Sequence, residues 1–219
     1  MIFDISVLSI SNMLYVLGGI FSTLFLTFVS IAFGLLLGSA LTFGEVYLPP
    51  PLSYIFRAIG EILRGIPLML LFLILYFGFK LSMTTSALLG LGLRSASYQG
   101  QIFRTSLEAI NIGQLHAGLS LGLTKFQVFT GILVPQAIRI MIPSFTNEFI
   151  TVLKDTSIAF VLGVMDLTTR ADFIARSVGS YLEIYIFIAV VYFVLVKVSM
   201  TIFNNIYERI RIPGLGEKR

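Results

Sequence analysis

Residues 15–43, YVLGGIFSTLFLTFVSIAFGLLLGSALTF, run without a single charged side chain. As a helix this stretch is about 43 Å long at 1.5 Å per residue, more than the roughly 30 Å of a bilayer's hydrocarbon core. In water it would need apolar cover on every side, with enough polar surface elsewhere to keep the whole soluble. The chain lacks that surface. Of 219 residues, 57% are hydrophobic and 12% charged, about half the charged share of an ordinary soluble domain. The expected fold is all-α and polytopic in a membrane, since barrel strands would show short alternating segments instead.

Further runs repeat the pattern. EVYLPPPLS ends the first span, because three consecutive prolines cannot continue a helix. A second span is expected over about 62–80. A third, about 86–107, is weaker, interrupted by Arg94, Ser95, Ser97, Gln99 and Gln101. Residues 108–125 are too polar and glycine-rich to span, yet too apolar for a solvated tail. A fourth region covers about 132–163, VMDLTTRADFIARSVGS reads as an amphipathic piece at an interface, and a last span covers about 184–203. The expectation is five spans in one domain, 1–219, with the termini on opposite sides.

Basic residues orient such a chain, because Lys and Arg favour the cytoplasmic side. A cytoplasmic C-terminus collects Arg209, Arg211, Lys218 and Arg219 there, with Arg104, Lys125 and Arg139 around the 108–125 loop. Lys80, Arg170 and Arg176 then lie outside, giving N-out and C-in. MIFDIS has no basic residue before the first apolar run, so a retained span is expected rather than a cleaved signal. The net charge of +4 reports topology, not nucleic-acid binding. With no cysteine there is no disulfide or thiol ligand, and the single histidine, His116, is expected to be a contact residue rather than a metal ligand.

Residues 113–135, GQLHAGLSLGLTKFQVFTGILVP, read as short helices joined at a glycine between two spans, a compact knob suited to a partner's groove. The pattern resembles the permease subunits of binding-protein-dependent ABC importers, in particular those for polar amino acids. Their loop has the form E-A-A-x-x-x-G, nine residues, then I-x-L-P. His116, Ala117, Gly118, Gly122, Ile132, Val134 and Pro135 occupy matching positions. Three of these depart from the pattern: His116 replaces Glu, Gly118 replaces the second Ala, and Val134 replaces Leu. RGIPL at 64–68, SYQGQIFR at 97–104, PQAIR at 135–139 and NEFITVLKDTSIAFVLGVMDLT at 147–168 extend the resemblance from about residue 18 to the end.

The resemblance implies a division of labour by alternating access. An identical or sister permease completes the pathway, a pair of ABC ATPase subunits docks on the loops, and an extracytoplasmic binding protein delivers a polar amino acid. Gly113, His116, Ala117, Gly118, Gly122 and Leu123 are the expected docking residues. No G-x-x-x-x-G-K-[ST] is present to cradle phosphates, so no cofactor is expected in this chain and ATP and Mg belong to the ATPase. The chain is not expected to be an enzyme on its own, and it has no H-E-x-x-H. A secondary transporter or channel subunit driven by an ion gradient is the rival reading.

Ionisable residues inside a span face a water-filled pathway or pair with one another. A zwitterionic solute needs an acceptor for its ammonium, which Glu148 and Asp155 supply, and a cation for its carboxylate, which Lys154 supplies. Glu148 and Asp155 share a helix face about 10.5 Å apart, whereas Lys154 points about 100° away from Asp155. One short ligand hardly touches all three on a straight helix, unless DTS at 155–157 breaks it with N-cap chemistry. Structural ties, to backbone carbonyls or to Arg64 or Arg94, stand beside solute contact and gating as readings. Arg64 opens the second span near the pathway or snorkels to the interface. Tyr98 and Gln99 either line the pathway or join helices.

Overall fold

The computed structural model describes residues 8–210. Arg211, Lys218, Arg219 and the MIFDIS start lie outside the described residues. Within them the chain is helical, with no strand. α1 is Ile10–Leu17 and α2 Ile20–Tyr47; α3 is Leu52–Gly65 and α4 Leu68–Gly78. α5 is Met83–Glu108, α6 Ile112–Ser120 and α7 Lys125–Val128. α8 is Val134–Asp155, α9 Leu167–Val178 and α10 Tyr181–Ile210.

α2 and α5 form the most extensive helix pair in the bundle, and they run parallel. Ser30 Oγ donates to Leu88 O at 3.1 Å, and Thr42 Oγ1 donates to Gly100 O at 2.9 Å. Small residues let the backbones meet. A Cβ on Gly38 would stand 2.5 Å from Ala96 O, and one on Gly34 2.7 Å from Gln99 Nε2. Lipid tails are as apolar as leucine, so close approach and interhelical hydrogen bonds, not water exclusion, hold such a pair. Gly34 and Gly38 facing Ala96 and Gly100 are that device.

The return from α2 to the start of α5 is broken. Instead of one straight helix over 62–80, α3 and α4 meet at 102°. Pro67 has no N–H to donate, and Ile66 before it is extended, with φ −82° and ψ 124°. α3 starts beside the end of α2, where Phe56 covers Gly44. α4 then carries the fully buried Phe72 onto Gly90 of α5.

Three described helical stretches are long and apolar enough to cross a membrane, Ile10–Tyr47, Lys125–Leu162 and Tyr181–Ile210, and the bent pair is a fourth. α5, parallel to α2, is a further long helix that is too polar to count by that criterion. Its polar composition follows from its place at the centre, packed by α2, α3, α4 and α8, where Ser86, Ser95, Ser97 and Gln99 are buried. α8 rises from the α6–α7 end, past an internal Pro143, and α10 runs back down its side, where Phe203 packs on Phe145 and Phe149. The expected interfacial piece is α9, capped by Asp166, whose carboxylate accepts from Thr169 N at 2.8 Å. It lies against α1 and α10 at the opposite end from α6.

Candidate solute cluster and docking knob

α8 stops at Asp155, and residues Thr156–Leu162 continue as a tighter 3-10 turn that ends at Gly163, φ 81°. The expected break is there, but its chemistry differs. Asp155 does not cap the next turn with its side chain; its carboxylate accepts from the Arg94 guanidinium of α5. The turn is held instead by hydroxyls donating backwards, Thr156 to Leu153 O at 2.8 Å and Ser157 to Lys154 O at 2.7 Å.

Two turns earlier on the same face, Glu148 is 8% exposed. It lies close to Ser95 of α5 and stands within electrostatic range of Arg94 and Asp155. Arg94 also lies over the Tyr98 ring, 5.2 Å from its centroid. Glu148, Asp155 and Tyr98 therefore converge, and Arg94 joins them at the centre. Sequence reasoning placed Arg94 only as a partner for structural ties. Its signal was a lone cation in the middle of a span, which a bilayer tolerates only with a partner or water.

The remaining residues separate. Lys154 turns about 100° away from Asp155 around α8, onto a cleft of about 300 Å³ with Ser157, Thr168, Tyr185 and Tyr192. Gln99 is 1% exposed, and its amide donates to Ile31 O at 3.1 Å and Ser95 Oγ at 2.9 Å; it joins α2 to α5 and meets the cluster only through Ser95. Arg64, at the end of α3, donates to Ser97 O at 3.0 Å. It ties α3 to α5 nearer the α6 end.

The knob is built from local rules. Asn111 caps α6 by accepting from Gly113 N at 2.7 Å. The helix closes with Gly122 N on Leu119 O at 3.0 Å and Leu123 N on Gly118 O at 3.2 Å, the paired bonds that require a left-handed residue after the helix. Gly122 supplies it at φ 79°. Thr124 and Gln127 then start α7 with a reciprocal capping box. Gly118 is buried against Val128, where an added Cβ would come within 2.7 Å. His116, Ala117 and Leu121 face outward, Leu121 at 80% exposure. The knob is fastened to the end of α2 by Tyr47, whose ring meets Phe129 at 4.7 Å between centroids.

A helical bundle with three or four apolar spans, paired charges inside it and a two-helix knob at one end is the architecture of a membrane transport subunit. Residues 30–212 match the family described as the binding-protein-dependent transport system inner membrane component, and the chain belongs to that family. The probable amino-acid permease protein YxeN of Bacillus subtilis (strain 168) is 35% identical over 195 residues, covering 85% of this chain and 87% of that one. The arginine transport system permease protein ArtQ of the same organism is 32% identical, covering 89% and 91%. Among solved structures, a chain from an amino acid ABC transporter crystallised with histidines superimposes with a TM-score of 0.89 at 29% identity, over 96% of this chain and all of that one. A chain of the inward-facing MetNI methionine ABC transporter shares the fold, with a TM-score of 0.82 at 21% identity over 93% of this chain.

Proposed function

We propose that this chain is the permease of an ATP-driven importer for a polar amino acid, inserted N-out and C-in. On this reading the α6–α7 knob faces the cytoplasm and takes the ATPase subunit through His116, Ala117, Leu123 and the turn at Gly122. The end carrying α9 faces the binding protein. A second permease, identical or sister, completes the pathway. ATP and Mg are held by the ATPase, and this chain makes and breaks no bonds. Nucleotide-driven motion of the knob favours one orientation of the bundle over the other by differential contact in two states.

The observation that carries the solute class is the Arg94–Asp155 pair with Glu148 beside it. Opposite charges are held together inside an apolar bundle, with tyrosine at their edge and Lys154 about 100° around the helix from Asp155. This chemistry suits a small zwitterion and gives nothing to an apolar solute. The names of the similar permeases point the same way. The test is uptake of a panel of radiolabelled amino acids by the complete importer in proteoliposomes loaded with ATP. Accumulation of a polar member, competed by its close analogues, is expected. Uptake of no amino acid would refute the reading.

A further inference from the structure

α5 carries polar side chains well beyond the Arg94 cluster. Arg94, Ser97, Gln101, Arg104 and Glu108 recur at steps of three and four residues, which places them on one helix face over about 21 Å. From Ser97 onward they line a cleft of about 160 Å³ walled by α2 and α3. It adjoins a second cleft of about 290 Å³ that shares Glu45, Arg57, Arg104 and Glu108. A polar track therefore leaves the Arg94 cluster and ends in a polar chamber near the knob.

The chamber's charges balance, three arginines against three glutamates, but they are not all matched. Arg104 donates to Glu45 and Glu108, and Arg57 donates to Glu61 at 3.0 Å. Arg64 makes no ion pair among the described residues. It is anchored by one bond, to the Ser97 carbonyl. A guanidinium has five N–H donors in a rigid fork, so Arg64 retains the geometry for a carboxylate held by two parallel bonds. One turn back on α3, Glu61 is paired only in an exposed (i, i+4) contact. Such pairs contribute little, so Glu61 is free to exchange Arg57 for another cation.

We propose that this cleft is an inner station for the transported amino acid, with the solute carboxylate on Arg64 and its ammonium facing Glu61. The inference rests on the functional reading above and adds a second position, closer to the knob than the Arg94 cluster.

The test uses the complete importer, with ATPase and binding protein, in proteoliposomes. Uptake of radiolabelled amino acids and ATP hydrolysis stimulated by the loaded binding protein are measured separately. Arg64→Gln is expected to lower uptake by about tenfold, the scale of a lost charge-assisted pair, with hydrolysis within about twofold of wild type. Arg64→Lys, which keeps the charge and loses the fork, falls between. Because Arg64 also ties α3 to α5, Gln101→Leu at an exposed position is the second variant, expected to reduce uptake with hydrolysis retained. Wild-type uptake in both Arg64→Gln and Gln101→Leu would overturn the station. So would parallel loss of hydrolysis and uptake in Arg64→Gln with Gln101→Leu unaffected, since Arg64 would then be structural. If the wild-type importer takes up no amino acid, the functional reading itself falls, and the station with it.

Discussion

Arg94 in the centre of α5 is ion-paired to Asp155, the residue at which α8 ends. The pair therefore joins a helix at the heart of the bundle to the point where its neighbour changes from an α-helix to a 3-10 turn. Both side chains are only partly exposed, 24% and 20%. Removing one partner leaves the other charged and poorly solvated.

Asp155→Asn is accordingly expected to lower stability by about 2–3 kcal/mol, between the range for an exposed pair and that for a buried one. The double variant Arg94→Met with Asp155→Leu should recover only part of that loss, because neither partner of the pair is then stranded but the buried Glu148 loses its neighbouring cation. Uptake should stay low in both. Thermal unfolding in detergent, run as a double-mutant cycle beside uptake, separates the two effects.

Lys154 is exposed and points about 100° around the helix from Asp155, onto the cleft beside Thr168 and Tyr192. Lys154→Met should change stability by no more than about 0.5 kcal/mol and still reduce uptake. Equal uptake by variant and wild type would remove Lys154 from the pathway.

Gly122 has open space around it, so a side chain there meets strain and not a clash. At φ 79° a non-glycine residue costs about 1–2 kcal/mol. Gly122→Ala should loosen the knob, with less ATPase recovered on affinity purification and weaker stimulation of hydrolysis, while the bundle's unfolding temperature is little altered. Gly118→Ala acts differently, by pushing α6 off Val128.

Gly38 admits no Cβ at the α2–α5 crossing. Gly38→Val should destabilise the protein by about 1–3 kcal/mol through overpacking, and a screen of folded yield in detergent would detect it. Gly131, with nothing near an added Cβ, is the tolerant control.

The all-helical fold, the separate short helix α9 and the knob were legible from apolar runs, prolines and the glycine at 122, because local chemistry sets each of them. The bend at Ile66–Pro67 was not foreseen, although Pro67 marks it. An apolar run such as ILRGIPLMLLFLILYFGF satisfies the length rule whether or not its helix is continuous. The Gly34–Gly38 spacing was readable too, but its meaning depends on which helix lies opposite, and only the parallel pairing with α5 supplies that. Among the site residues, Glu148 and Asp155 announced themselves by their cost in a bilayer. The separation of Lys154 from them followed from helical geometry. The commitment of Gln99 to Ile31 O did not, since a buried glutamine reads alike whether it faces water or a neighbouring backbone.

Solute uptake by the purified chain in liposomes, with and without its ATPase and binding protein, distinguishes an ATP-driven permease subunit from an ion-driven carrier. No accumulation is expected from the chain alone under an imposed proton or sodium gradient, and accumulation is expected once both partners and internal ATP are present. Accumulation by the chain alone on an ion gradient, indifferent to ATP, would contradict the permease reading and recast Glu148, Arg94 and Asp155 as an ion-coupling site.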